Sequence, residues 1–129
     1  MERTRYASGA RWEDIVGYSR AVRTGDLVEV SGTVAVNEEG AIVGEGDPYL
    51  QAAFILEKIG KVLLQAGCSM KDVVRTRIYV TDISRWQEVA RAHSEIFNDI
   101  RPASSFIEVS RLMDPGHLVE IEATAVHMP

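Results

Sequence analysis

Arg101-Pro102-Ala103-Ser104-Ser105-Phe106-Ile107-Glu108-Val109-Ser110-Arg111-Leu112, a Met113-Asp114-Pro115-Gly116 break, and His117-Leu118-Val119-Glu120-Ile121-Glu122-Ala123-Thr124-Ala125-Val126 form the stretch that decides the architecture. Both runs alternate in character residue by residue, the period of a strand with two unlike faces. Asp-Pro-Gly turn chemistry separates them. On this reading Val119, Ile121, Ala123 and Ala125 point to one face. Glu120, Glu122 and Thr124 point to the other, joined by Ser104 and Glu108 from the first run. Carboxylates then crowd one sheet face, which is either simply solvated or closed by something the pattern does not name.

Working outward, the segment upstream also alternates, with Val74, Thr76, Ile78 and Val80 on one side and Arg75, Arg77 and Tyr79 on the other. Between it and Arg101, Ser84 and Gln87 have capping-box spacing, and Trp86, Val89, Ala90, His93, Ile96 and Phe97 recur as a helical stripe. A longer helix starts at Asp47-Pro48, where an acceptor side chain caps and proline loses nothing at the first turn. Its stripe is Ala52, Ile55, Leu56, Ile59, Val62, Leu63 and Ala66, and Gly67 stops it. In the first third, Tyr18 to Arg23 is strand-like and Thr24-Gly25-Asp26 is a turn. Leu27 to Val36 alternates, with Val28, Val30, Val34 and Val36 inward and Glu29, Ser31, Thr33 and Ala35 outward. Asn37-Glu38-Glu39-Gly40 turns the chain into a short strand, Ala41-Ile42-Val43. Thr4 to Arg11 reads as strand and loop, and Trp12 to Gly17 fits a turn or a helical fragment.

This order predicts an α+β fold, a mixed, mostly antiparallel six-stranded sheet with two helices on one face. The other face carries Glu29, Ser31, Thr33, Arg75, Arg77, Tyr79, Glu108, Glu120 and Glu122 and has no helix left to cover it. Small and β-branched residues interspersed among balanced charges favour closure by further copies of the chain.

The 129 residues fit one domain, 1–129, with apolar residues at 46%. A formal charge of -5 without a basic block argues against nucleic acid as a partner. The N-terminal Met-Glu-Arg-Thr-Arg-Tyr lacks the apolar core of a signal peptide and no run is long enough to span a bilayer, so a cytoplasmic location and no membrane partner are expected. Cys68 is the only cysteine, which rules out an internal disulfide and a cysteine-rich structural zinc site. His93 sits within a helical stripe, and His117 and His127 are isolated near the end. No metal or organic cofactor is expected.

The residues Tyr18-Ser19, Val30-Ser31-Gly32, Leu56-Glu57-Lys58-Ile59, Ala66-Gly67, Val74 to Asp82, Arg101-Pro102-Ala103, Ile107-Glu108-Val109, Arg111-Leu112 and Val119 to Ala123 together resemble the Rid family, also called YjgF/YER057c/UK114. The resemblance runs over nearly the whole chain. It implies a chorismate mutase-like fold and a homotrimer with clefts between neighbouring subunits, in which small metabolites bind and enamines or imines are deaminated. Glu122 matches the carboxylate that holds the attacking water, which makes it the implied catalytic residue. Tyr18, Arg20, Ser31, Ser104, Ser105 and Phe106 fall on the substrate side of the cleft. Tyr18 matches the aromatic cleft wall, while Arg20 stands where glutamine is usual, Ala90 where asparagine is frequent and Phe106 where cysteine is frequent. Ser104 occupies the position at which active deaminases carry a substrate-binding arginine, and the connection before Pro102 is shortened. A serine replaces neither the charge nor the fork of a guanidinium, a loss of roughly 2 to 5 kcal/mol of carboxylate binding unless Arg20 or Arg101 supplies the cation. Three functions stay open on this reading: a C=N hydrolase with a divergent substrate, a non-catalytic trimer that binds a metabolite in a regulatory role, and an endoribonuclease or translation inhibitor. The last rests on labels of relatives alone.

Overall fold

A computed structural model of the protein describes residues 2–129. The elements are β1 (Arg3–Tyr6), α1 (Arg11–Val16), β2 (Ala21–Thr24), β3 (Leu27–Thr33), α2 (Pro48–Gln65), β4 (Val73–Val80), α3 (Trp86–Phe97), β5 (Ala103–Glu108) and β6 (Val119–Val126). The strands form one six-stranded sheet in the order β1-β2-β3-β6-β4-β5. Every neighbouring pair is antiparallel except β4 and β5, which are parallel. Parallel neighbours need a crossover, and α3 supplies it. The expected fold class is therefore found, with α1 resolving Trp12 to Gly17 as a short helix that ends at Gly17 in a left-handed conformation.

Helix α2 begins where the sequence places it, with the Asp47 side chain accepting from Leu50 N–H. Its stripe Ala52, Ile55, Leu56, Ile59, Val62, Leu63 and Ala66 is buried against Val28, Val30, Ile78, Val119, Ile121, Ala123 and Ala125. Gln51 belongs to the same buried face. Its amide donates to the carbonyls of Gly44 and Gly116 and its oxygen accepts from Leu118 N–H, so it ties α2 to the entry of β6.

Several local expectations are corrected. A bulge between Val30 and Thr33 reverses the alternation in β3, so Thr33 and Ala35, expected outward, are buried, while Val34 and Val36 are only partly so. A second irregularity between Val73 and Arg75 puts Val73 in the core and leaves Val74 47% exposed. Ala41-Ile42-Val43 is not a strand but a single bridge, Val36 to Ile42, behind the expected turn with Gly40 at φ 82. Tyr18, Ser19 and Arg20 precede β2 rather than lie in it. Ser84 caps no helix with Gln87; Asp82 caps a 3-10 turn, Ile83–Arg85, that leads into α3. The buried residues of α3 are Val89, Ala92 and Phe97, and Trp86 is 49% exposed.

Among the described residues, no helix is long and apolar enough to cross a membrane.

Candidate active site

The strands that leave one sheet face bare also decide which polar groups meet there. Residue Arg77 of β4 lies beside Glu122 of β6, and Tyr79 lies beside Glu120. The Tyr79 hydroxyl donates to Glu122 Oε1 at 2.8 Å, and Arg77 Nε stands 4.0 Å from the same oxygen. Glu122 thus has a phenol and a guanidinium on one oxygen, which leaves the other to the surroundings. The carboxylate raises the phenol's pKa, first through the hydrogen bond, then through burial and charge. Arg77 is also the cross-strand neighbour of Glu122, but Tyr79 is the closer partner.

Glu120 occupies a different environment on the same face. Burial pushes its carboxyl above the ordinary range, the Glu122 charge adds to that, and Arg20 opposes it. Its carboxylate lies over Gly32, where an added Cβ would come within 2.7 Å of Oε2. The two carboxyls, two positions apart on one strand, thus have unlike surroundings: one partly buried beside Gly32, the other accepting from Tyr79.

Arg20 and Tyr18 flank this pair. The Arg20 guanidinium donates to Gly32 O at 2.7 Å, to Thr33 Oγ1 at 2.9 Å and to the Tyr18 hydroxyl at 3.3 Å, and Glu13 lies 3.6 Å away. Arg20 is thereby committed to the β3 bulge, and Glu13 already balances its charge. Ser31 donates to Ser19 O at 2.7 Å and lines, with Val22, Glu29, Arg77 and Glu122, an open depression of about 240 Å³. Glu29 closes one rim and accepts a hydrogen bond from Thr124.

Ser104, Ser105 and Phe106 stand apart from that depression on the edge strand β5. Parallel pairing sets Ser104 beside Thr76 and Ser105 beside Arg77. Thr76 points to the helix-covered side, and its hydroxyl donates to Ser104 Oγ at 2.8 Å and meets His93 Nε2 at 2.9 Å. Ser104 and Glu108 therefore lie on the face opposite Glu120 and Glu122, against the expectation that all share one face. The reason is register: the count along each run was right, but nothing in the sequence fixes which residue of β5 sits beside which residue of β4. Ser105 keeps to the bare face and accepts from Arg75 at 2.8 Å. Phe106 is 36% exposed on the edge. His93 stacks against Phe97 with ring centroids 4.6 Å apart, and burial lowers its pKa. Arg101 sits near the start of β5 at φ 55, with its Nε donating to Asn98 O at 2.9 Å.

Sequence reading named Glu122, Tyr18, Arg20 and Ser31, which the fold brings to one region. Tyr79, Glu120 and Gly32 stand beside them, and the alternation of β4 and β6 puts Tyr79 and Glu120 on the same face as Glu122. Among the described residues, one other cluster of ligand-type side chains comes together: Cys68, Asp72 and His127. The isolation of His127 in sequence is not isolation in space.

The fold is an α+β sheet with one parallel pair at its edge, helices on one side and a carboxylate-lined bare face on the other. The chain belongs to the Rid (YjgF/YER057c/UK114) family: a family profile described as Endoribonuclease L-PSP matches residues 8–127. The crystal structure of Rv2704 from Mycobacterium tuberculosis, a member of the YjgF/YER057c/UK114 family, is 49% identical with a TM-score of 0.89, over 98% of this chain and 100% of that one. The Escherichia coli YjgF gene product is 29% identical with a TM-score of 0.82, over 97% of this chain and 96% of that one. A relative described as 3-aminoacrylate deaminase RutC, from Acinetobacter baylyi, is 32% identical over 108 residues, which is 84% of this chain and 85% of the relative.

Proposed function

We propose that this chain hydrolyses the C=N bond of a small metabolite, an imine or the imine tautomer of an enamine, in clefts between the subunits of a cytoplasmic homotrimer. The observation that carries the reading is the pairing of Glu120 and Glu122, two carboxyls with unlike environments, on a sheet face its own helices do not cover. Similarity to a relative named as an aminoacrylate deaminase supports the reaction class.

The chemistry follows from the positions. Water adds to the imine carbon while Glu122, held by Tyr79 and Arg77, takes its proton. The imine nitrogen gains a proton, and the carbinolamine collapses to a carbonyl and ammonia. Glu120, whose pKa is raised, is suited to deliver a proton in the second half. Ser104 offers a neutral hydroxyl where a carboxylate-binding arginine would stand, and Arg20 is already engaged. The substrate group at that edge is accordingly uncharged and polar rather than a carboxylate.

Ammonia release from a panel of imines, generated in situ by an amino-acid or amine oxidase, tests this. Glu122→Gln should lower turnover about 100-fold or more, the usual weight of a positioned proton carrier. A correctly assembled wild type that turns over no imine in the panel overturns the reading. Ser104 also favours a second reading, a trimer that binds a metabolite without converting it. Saturable calorimetric binding of a panel member without ammonia release identifies that case.

A further inference from the structure

We propose that Cys68, Asp72 and His127 form a binding site for a divalent cation of the zinc class, which clips the end of β6 to the turn that follows α2. The inference stands apart from the proposed imine chemistry and uses none of its residues.

Three segments deliver the ligands. After α2, Gly67 at φ 81 swings the chain round, and Cys68 N–H donates to Leu63 O at 2.8 Å, which fixes the thiol just beyond the helix end. Asp72 closes a 3-10 turn, Met70–Asp72, in a capping box with Ser69. One of its carboxylate oxygens, Oδ2, accepts from Ser69 N–H at 2.9 Å, which orients the group. His127 follows β6 directly, and its N–H donates to Asp26 O at 2.7 Å. One ligand atom from each side chain lies within 4.8 Å of the other two.

A second observation points to a ligand. His127 Nδ1 is buried and has no hydrogen-bond partner. A buried ring nitrogen without a partner is unusual, because desolvation is not repaid, and either metal binding or an ordered water removes the deficit. The chemistry of the set says which metal would fit. Thiolate, imidazole and carboxylate together suit zinc and its neighbours, whereas magnesium and calcium prefer oxygen alone. Thiolate and carboxylate contribute two negative charges, which a divalent ion neutralises. Bonds of about 2.0–2.3 Å place tetrahedral ligands about 3.3–3.8 Å apart, so side-chain rotations of roughly an ångström complete the site. The fourth position is left for water.

The test uses the full chain carrying no histidine tag, stripped with a chelator and titrated with cobalt(II) and then zinc(II). One cobalt per chain is expected, with thiolate-to-cobalt charge-transfer absorption that zinc abolishes on displacement. Cys68→Ser should lose that absorption, and His127→Gln should weaken binding at least tenfold. Zinc should raise the melting temperature of wild type but of neither variant. Should Cys68→Ser not fold, His127→Gln alone decides, since its position just past the last strand perturbs little of the core. Absence of stoichiometric cobalt or zinc in wild type at micromolar free metal overturns the proposal. So does equal binding by the wild type and the His127→Gln chain.

Discussion

At the scale of single residues, Glu120 and Glu122 show how one strand gives two carboxyls different surroundings. Both leave β6 on the same side, yet Tyr79 and Arg77 serve Glu122 while Glu120 lies over Gly32, partly buried. Burial first, then the neighbouring charge, raises the pKa of Glu120 in the folded chain. Between the ordinary carboxyl pKa and that raised value, the folded state binds more protons than the unfolded one, so stability falls as pH rises through the window. Glu120→Gln removes the ionisation. Thermal melts should show the variant gaining on wild type at pH 7, with the difference vanishing below the ordinary glutamate pKa. A variant that melts lower than wild type at pH 7 contradicts the desolvation argument. Equal gains at pH 4 and pH 7 would do so too, because a proton-linked effect must depend on pH. His93 has the opposite sign: burial lowers its pKa, so acidification through the ordinary histidine range costs stability.

At the scale of elements, what could be read and what could not divide along physical lines. Helix α2 was legible because its cap, first-turn proline, stripe and stop are all local signals, and each is found. Strands β4 and β6 were legible as alternating runs, and they placed Glu120, Glu122, Arg77 and Tyr79 on one face. The bulges in β3 and at the start of β4 were not, because a bulge changes phase without changing composition. Thr33 and Ala35 therefore turned inward, and Val74 turned out. Register between strands was equally hidden, and with it the face of Ser104 and the meeting of His127 with Cys68 and Asp72. Gln51 is a polar residue within an otherwise apolar buried face, and only the fold explains it: it serves the carbonyls of Gly44 and Gly116 and the N–H of Leu118. Gln51→Leu keeps the apolar stripe but strands those groups, and unmade buried hydrogen bonds cost about 1–3 kcal/mol each where water cannot reach. Chemical denaturation should register a loss of about 2–4 kcal/mol, with part recovered by local rearrangement. The exposed Leu64 on the same helix changed to Ser should shift stability by no more than about 0.5 kcal/mol.

At the scale of the whole molecule, the decisive fact is that Glu122 and Ser104 lie on opposite faces of one sheet. No side chain reaches through a sheet, so a site that uses both must draw them from different copies. The uncovered face and the exposed β5 edge, where Ile107 is 41% and Phe106 36% exposed, are the surfaces that assembly would close. Light scattering should accordingly give three times the 14.3 kDa chain mass at micromolar concentration, and a stable monomer would rule out the shared cleft. Subunit mixing carries the argument further. On the proposed mechanism, Glu122→Gln removes the proton carrier from one side of each cleft, and Ser104→Trp fills the other side from the edge strand. Each homotrimer should be inactive. When the two variants are unfolded together and reassembled in equal amounts, random assortment in a three-fold ring puts a wild-type Glu122 against a wild-type Ser104 in about one quarter of the clefts. Ammonia release should return to about a quarter of wild type. Variants that reassemble into mixed trimers, verified by mass, yet recover no activity would rule out a cleft shared between copies, whereas a Ser104→Trp homotrimer that keeps its activity would leave Ser104 outside the reaction.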